Sequence, residues 1–280
     1  MANESVDLNV KVPSHSWVWE DGHFEPTAFI PIEDRGFRYG MSVFETVAIV
    51  KRKAILMTPH LLRLEAAAAL LNFPIGQRAL NDLMEFQKSP PFNEGLLRIH
   101  WTAGDGGPAD PISEGRLIVR GEEIAIPGSS APMPELSLVM IKTRLHEQDG
   151  WKTGNYLTRC RLLAEARRRG AHEALLYEDT GLLLGAIMAN VFLISHAGRL
   201  VTPRLQPGCR NGTVREWVMK HHNVEEKEID IEEAASAKEI LLTNSRLGIA
   251  GVADLEGRKL ERRVEKIECS YRELFDAQCY

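Results

Sequence analysis

The stretch WKTGNYLTRCRLLAEARRRGAHEALLYEDTGLLLGAIMANVFLI, residues 151–194, carries the features around which the chain is organised. An apolar-polar run, Leu136 to Ile141, ends some residues before it, and Lys152 falls just ahead of a predicted helix. That helix, TRCRLLAEARRRG, turns Leu162, Leu163 and Ala166 inward and closes at Gly170. EALLYEDTGLLLGAIMANVFLI reads as two strands about a turn at Asp179-Thr180-Gly181. After Thr202-Pro203, CRNGTVREWVMKHH sets Gly212 and Thr213 at the mouth of another helix, where unengaged backbone N–H groups suit a phosphate.

A chain of 280 residues can bury a core large enough to hold a cofactor. With 44% hydrophobic and 26% charged residues and a net charge of −5, it shows neither the composition of a disordered chain nor the basic footprint of a nucleic-acid binder. Arg167 to Arg169, flanked by Glu165 and Glu173, read as a solvated helix face. Cys160, Cys209, Cys269 and Cys279 have neither CxxC nor zinc spacing, so no metal is expected and reduced thiols in a cytoplasmic protein are. MANESVDLNVKVPSHS lacks the charged start and apolar run of a signal peptide, and Gly181 to Ile194 is too short to cross a bilayer as a helix.

Toward the N-terminus, Trp17 and Trp19 alternate ahead of an Asp21-Gly22 turn, which predicts a hairpin whose second strand carries Phe24 and Phe29. Asp34-Arg35-Gly36 reads as a loop, and SVFETVAIVKRKAILM as a hairpin turning at Lys51 to Lys53. Pro59 to Leu71 reads as a helix with Leu62, Ala66 and Leu70 on one face. A helix near Ala79 to Phe86, strands at Leu96 to Thr102 and in GRLIVRGEEI, and a linker at Pro127 to Pro134 follow. The expected domains are 1–126 and 135–280, joined by 127–134. The second half ends with a helix leading into ILLTNS, a hairpin at Glu256-Gly257 and a helix from Arg262 to Phe275.

In order, KTGNYL, EARRRGAHEALLYEDTG, NVFLI, GRLVTP and NGTVR resemble the class IV, fold-type IV pyridoxal-phosphate enzymes, which include branched-chain and D-amino-acid aminotransferases and aminodeoxychorismate lyase. DRGFRYGMSVFET (Asp34 to Thr46), HLLRL (His60 to Leu64) and LLTNSRLGI (Leu241 to Ile249) extend the likeness over nearly the whole chain. The resemblance implies an α+β fold of two domains, a smaller N-terminal α/β sandwich and a larger C-terminal domain with a barrel-like mixed sheet. It also implies pyridoxal 5'-phosphate between the domains, an amino substrate, and a homodimer whose N-terminal loops complete the neighbour's site.

A lysine that forms a Schiff base must be neutral part of the time, and so belongs in a semi-buried place. The resemblance assigns that role to Lys152, with Tyr156 at the cofactor's phenolic oxygen and Arg63 at its phosphate. Gly212, Thr213 and Val214 complete the phosphate cup with Asn244 and Ser245. Arg98 and His100, two apart on a strand, share a face that either meets a substrate carboxylate or points outward. Arg38 and Tyr39 in the GFRYG loop are further substrate candidates.

The family's pattern is broken at one place, where Gly185 stands in the position of a glutamate that protonates the pyridine nitrogen. Without that acid the ring is a weaker electron sink, which favours an elimination helped by aromatisation over transamination. LTNSRLGI and the TAGDGG turn resemble the lyase branch, and Ala103 replaces an arginine typical of D-amino-acid aminotransferases. An aminotransferase, or a degenerate relative with a binding role, are the alternatives.

Overall fold

The computed structural model describes residues 15–112, 115–262 and 265–276. Residues 1–14 of the stretch read for a signal peptide, and Cys279, fall outside them.

The first layer is an antiparallel sheet ordered β2-β1-β6-β5-β3-β4. In chain order its elements are β1 (Ser16–Glu20), β2 (His23–Pro26), α1 (Arg35–Tyr39), β3 (Ser42–Val50), β4 (Lys53–Ala54), α2 (Met57–Leu70), α3 (Gln77–Phe86), β5 (Gly95–Thr102) and β6 (Arg116–Glu123). Ile49, Leu97, Ile99, Leu117 and Val119 are fully buried, each worth roughly 1.5–3 kcal/mol of burial. Leu61, Leu64, Ala67 and Leu83 cover them from α2 and α3. The β3–β5 register sets Phe44 opposite His100 and Thr46 opposite Arg98. These four therefore share the face that the cavity described below opens on.

The second sheet runs β12-β11-β10-β13-β14-β7-β8-β9, with β15 on β14. Its elements are β7 (Leu136–Lys142), α4 (Leu157–Arg168), β8 (Glu173–Tyr177), β9 (Leu183–Ala186), β10 (Asn190–Ile194), β11 (Leu200–Pro203), α5 (Thr213–His221), β12 (Val224–Lys227), α6 (Ile231–Ser236), β13 (Glu239–Asn244), β14 (Gly248–Leu255), β15 (Arg258–Lys259) and α7 (Glu265–Asp276). Pairings of β7 with β8 and β14 and of β11 with β12 are parallel and the rest antiparallel. The last strand, β9, comes back against β10 and β11, so the sheet curls on itself. The fold is thus of the expected α+β class, with the expected barrel-like mixed sheet in its second half.

Four local expectations are corrected. Asp34-Arg35-Gly36 opens a short helix: the buried Asp34 carboxylate accepts from the Gly36 N–H at 2.7 Å and from Thr102 Oγ1 at 2.8 Å, which caps α1. The stretch 173–194, expected as two strands, forms three, β8, β9 and β10, because the chain turns again at 187–189 between β9 and β10. Phe29 lies beyond the end of β2 and is exposed. On α2 the buried face is Leu61, Leu64 and Ala67, one position round from the anticipated Leu62, Ala66 and Leu70, which face outward. Among the described residues, no helix is long and apolar enough to cross a membrane.

Candidate active site

Lys152 is held where the two sheets meet. Its carbonyl accepts from the Phe44 N–H at 2.8 Å, and Gly154 donates to the Ser42 carbonyl at 2.9 Å, so the KTG segment is hung on the start of β3. A β-carbon on Gly154 would lie 2.5 Å from Ser42 Oγ, which explains the glycine. Lys152 Nζ donates to Thr46 Oγ1 at 3.2 Å and stands 4.4 Å from the Phe44 ring centroid. Burial brings its pKa down to about 7; Glu45 opposes this, and the positive charges of Arg210, Arg63 and Arg98 reinforce it. At neutral pH a large share of Lys152 is therefore an amine with an available electron pair.

Besides a cavity of about 580 Å³ bounded by Glu45 and Trp151, Lys152 opens onto one of about 320 Å³. Arg63, Gly212, Thr213, Asn244 and Ser245 line it, as do Tyr156, Arg98 and Gly185. Val214 does not; its side chain is in the core, and its backbone lies in the first turn of α5. Arg38 and Tyr39 stay outside: Arg38 pairs with Glu33 and lies 5.0 Å from the Tyr39 ring. His100 stands behind the wall, stacked on Phe44 at 5.4 Å, with its pKa pushed down to about 4 by burial and by the charges of Lys152, Arg98 and Arg120.

At one end of the cavity the mouth of α5, the Ser245 turn and Arg63 come together. Gly212 is the N-cap of α5, and its N–H donates to Asn190 Oδ1 at 3.0 Å, which fixes the entry to the helix and leaves the N–H groups of the first helical turn for an anion. Asn244 Oδ1 accepts from the N–H groups of Arg246 and Leu247 at 2.9 and 2.8 Å, which builds the turn that presents Ser245. Thr213 Oγ1 and Ser245 Oγ each lie 3.1 Å from His60 Nε2. His60 Nδ1 is 2.7 Å from Glu45 Oε2, and Arg63 binds both oxygens of Glu45 at 2.7 Å and the Asn211 carbonyl at 2.8 Å. Burial would raise the Glu45 carboxyl, but the hydrogen bonds from His60 and Arg63 outweigh it and hold Glu45 ionised, well below the usual carboxylate range. Burial pushes His60 the other way, toward the neutral ring, against the pull of Glu45. A neutral His60 that donates Nδ1–H to Glu45 leaves Nε2 as an acceptor for the two hydroxyls, which can rotate toward an anion when one is present.

Glu45, His60, Thr46 and Arg159 were missed from the sequence as members of this site. His60 lies inside the quoted HLLRL and Glu45 inside SVFET, so both were visible without a reason to choose them. Arg159 had a signal: it falls on the inward stripe of α4 with Leu162, Leu163 and Ala166, a place where a charge demands explanation.

The family model for amino-transferase class IV matches residues 42–255. The chain is 24% identical to a putative branched-chain-amino-acid aminotransferase of Methanocaldococcus jannaschii, over 92% of this chain and 94% of the other. Among solved structures it resembles 4-amino-4-deoxychorismate lyase from Pseudomonas aeruginosa, at 25% identity with a TM-score of 0.77, covering 92% of this chain and 98% of that one. It also resembles, at 21% identity and a TM-score of 0.76, the PLP-bound form of a hypothetical aminotransferase from Mycobacterium tuberculosis, covering 93% of this chain and 97% of the other. With its two curled sheets and a match over most of its length, the chain belongs to the class IV aminotransferase family.

Proposed function

We propose that this chain binds pyridoxal 5'-phosphate at Lys152 and eliminates pyruvate from 4-amino-4-deoxychorismate, leaving 4-aminobenzoate. The residues fit the cofactor. Arg63, the Thr213 and Val214 N–H groups and the Thr213 and Ser245 hydroxyls would hold the phosphate, beside Gly212, whose own N–H is held by Asn190, and on a turn shaped by Asn244, with Tyr156 at the phenolic oxygen. When bound, the cofactor supplies an electrophilic aldehyde and an aromatic ring that spreads the electron pair left behind by a departing proton.

The observation that favours elimination is the make-up of the wall: among the described residues no Asp or Glu lines the cavity, whereas Arg63, Arg98, Arg159, Arg210, Arg246 and Lys152 do. Such a wall suits a substrate carrying carboxylates. It also lacks the acid that would strengthen the ring as an electron sink, so a reaction whose product becomes aromatic is better served than transamination. With the cofactor bound, the free Lys152 amine would take the proton from the carbon bearing the substrate amine. Thr46 Oγ1 keeps Nζ oriented, and Phe44 supplies a flat apolar surface beneath it. The C–O bond to the three-carbon enol ether then breaks with its electron pair, and the leaving enolate gains a proton to become pyruvate. Arg98, whose guanidinium is shared with Glu122 at 3.0 Å and whose Nε has no other partner, receives a substrate carboxylate. His100 supports this face from behind Phe44.

We take the working unit to be a homodimer in the cytosol. Phe29, Ile30, Ile32 and Phe37 are more than half exposed on the run leading to Arg38 and Tyr39, as are Leu62 and Leu157, an apolar display that a second copy would cover. Arg38 and Tyr39 would then serve the neighbour's cavity. Purified protein loaded with cofactor should release pyruvate and 4-aminobenzoate in equal amounts from aminodeoxychorismate. Faster turnover of an amino donor with a 2-oxo acid would instead make it an aminotransferase, and failure to retain cofactor would make it a binding relative.

A further inference from the structure

One buried cation in the cavity wall, counted above only as part of its positive charge, has a free donor of its own. Arg159 is 6% exposed. Nη1 donates to the carbonyls of Ala186 and Ile187 at 3.3 and 2.8 Å, and Nη2 to those of Asp149 and Gly208 at 3.3 and 3.2 Å. Its remaining donor, Nε–H, is buried without a partner. A guanidinium has five N–H groups and no acceptor, so this side chain can only donate.

The charged and titratable groups around it leave that donor unclaimed. Arg210 is a like charge spent on the Gly150 and Trp151 carbonyls. Glu173 accepts from the N–H groups of Ala174, Ile187 and Met188, so its oxygens are taken by backbone. Of Asp149, Tyr156 and Cys209 nearby, only Asp149 accepts from Arg159, and through its carbonyl. Beside Arg159 the wall is open: Gly185 precedes the residue whose carbonyl it holds, and a β-carbon there would meet nothing within 4 Å.

In pyridoxal phosphate the ring nitrogen is para to the carbon that Lys152 captures, and the phosphate arm is next to that carbon. With the phosphate among Gly212, Thr213 and Ser245, the nitrogen must look to a part of the wall away from both. Thr243 Oγ1 is also buried without a partner, but the β10–β13 register sets Thr243 opposite Asn190, which belongs to the Gly212 side. Arg98 lies on the β3–β5 face with Thr46 and Lys152. Arg159, next to the opening at Gly185, is the polar group left.

We infer that Arg159 is the partner of the cofactor's ring nitrogen, donating through Nε–H and keeping that nitrogen unprotonated. A protonated nitrogen is a donor and would meet a second donor and a positive charge; an unprotonated one is an acceptor and is satisfied. The inference rests on the pyridoxal phosphate reading, and it adds that the ring works as a neutral pyridine tuned for elimination.

The test is the nitrogen resonance of the holoenzyme loaded with pyridoxal phosphate labelled with 15N in the ring, followed as pH is lowered from alkaline to mildly acidic. The wild-type resonance should stay at the position of an unprotonated pyridine throughout. In Arg159→Met it should move to the protonated position as pH falls, and in Gly185→Glu it should move the same way with Arg159 intact. A wild-type nitrogen that is protonated at neutral pH overturns the inference even if neither variant folds, as does an Arg159→Met titration identical to wild type. A chain that retains no label refutes the cofactor reading and this inference together, whereas a retained but protonated label refutes this inference alone.

Discussion

Glu45 Oε2 lies 2.7 Å from His60 Nδ1, with both side chains 1% exposed. That contact fixes one acid from β3 between an imidazole and a guanidinium, and through His60 it reaches both hydroxyls of the phosphate end. The carboxylate is ionised although buried because His60 and Arg63 supply its hydrogen bonds.

Glu45→Gln should therefore cost about 3–5 kcal/mol of stability, the range for removing one member of a buried ion pair. Denaturant unfolding of the cofactor-free protein would measure it. A loss no larger than that of a surface substitution would mean that His60 and Arg63 hold their positions without the acid.

Arg63→Met should weaken cofactor binding by roughly 1.5–3 kcal/mol, the range for hydrogen bonds to charged groups, or about one to two orders of magnitude in Kd. Titration calorimetry with the cofactor's phosphate-bearing form and with pyridoxal lacking the phosphate separates the causes. The variant should lose affinity for the first and little for the second.

The pH dependence of cofactor capture follows from Lys152. Its protonated form has no electron pair to offer, and its pKa is lowered to about 7. Uptake by the cofactor-free protein should speed up as pH rises toward about 7 and level off above it. A lysine at its ordinary value would keep accelerating far into the alkaline range, and stopped-flow absorbance distinguishes the two profiles.

Arg98→Leu should raise KM for a carboxylate-bearing substrate by about tenfold or more, the loss of one charge-assisted hydrogen bond, while leaving cofactor absorbance unchanged. If KM is unaffected, Arg98 serves only Glu122.

The class of fold was legible because several motifs occur in order at separations that one architecture accommodates. Lys152, Arg63 and the Gly212-Thr213 helix mouth could be singled out because they fall in the motifs that carry the family resemblance, and the fold brings them to one cavity. The register that puts Arg98 opposite Thr46 was half legible: a spacing of two sets Arg98 and His100 on one face, but only strand pairing decides which face looks at Lys152. The outward turn of Leu62 and Leu70 was not legible, since α2 has apolar residues on most of its circumference and a helical period alone does not choose among them. Glu45 was hidden because a carboxylate between apolar strand residues gives no local sign that a histidine and an arginine from a later helix will neutralise it.

The central claim is that Lys152 carries the cofactor. Reduction of the cofactor-loaded protein with borohydride, digestion and peptide mass mapping should place the pyridoxyl group on the peptide containing Lys152, with Lys152→Ala showing neither the adduct nor turnover. A reduced adduct on another lysine, or one retained at full yield by Lys152→Ala, would contradict it.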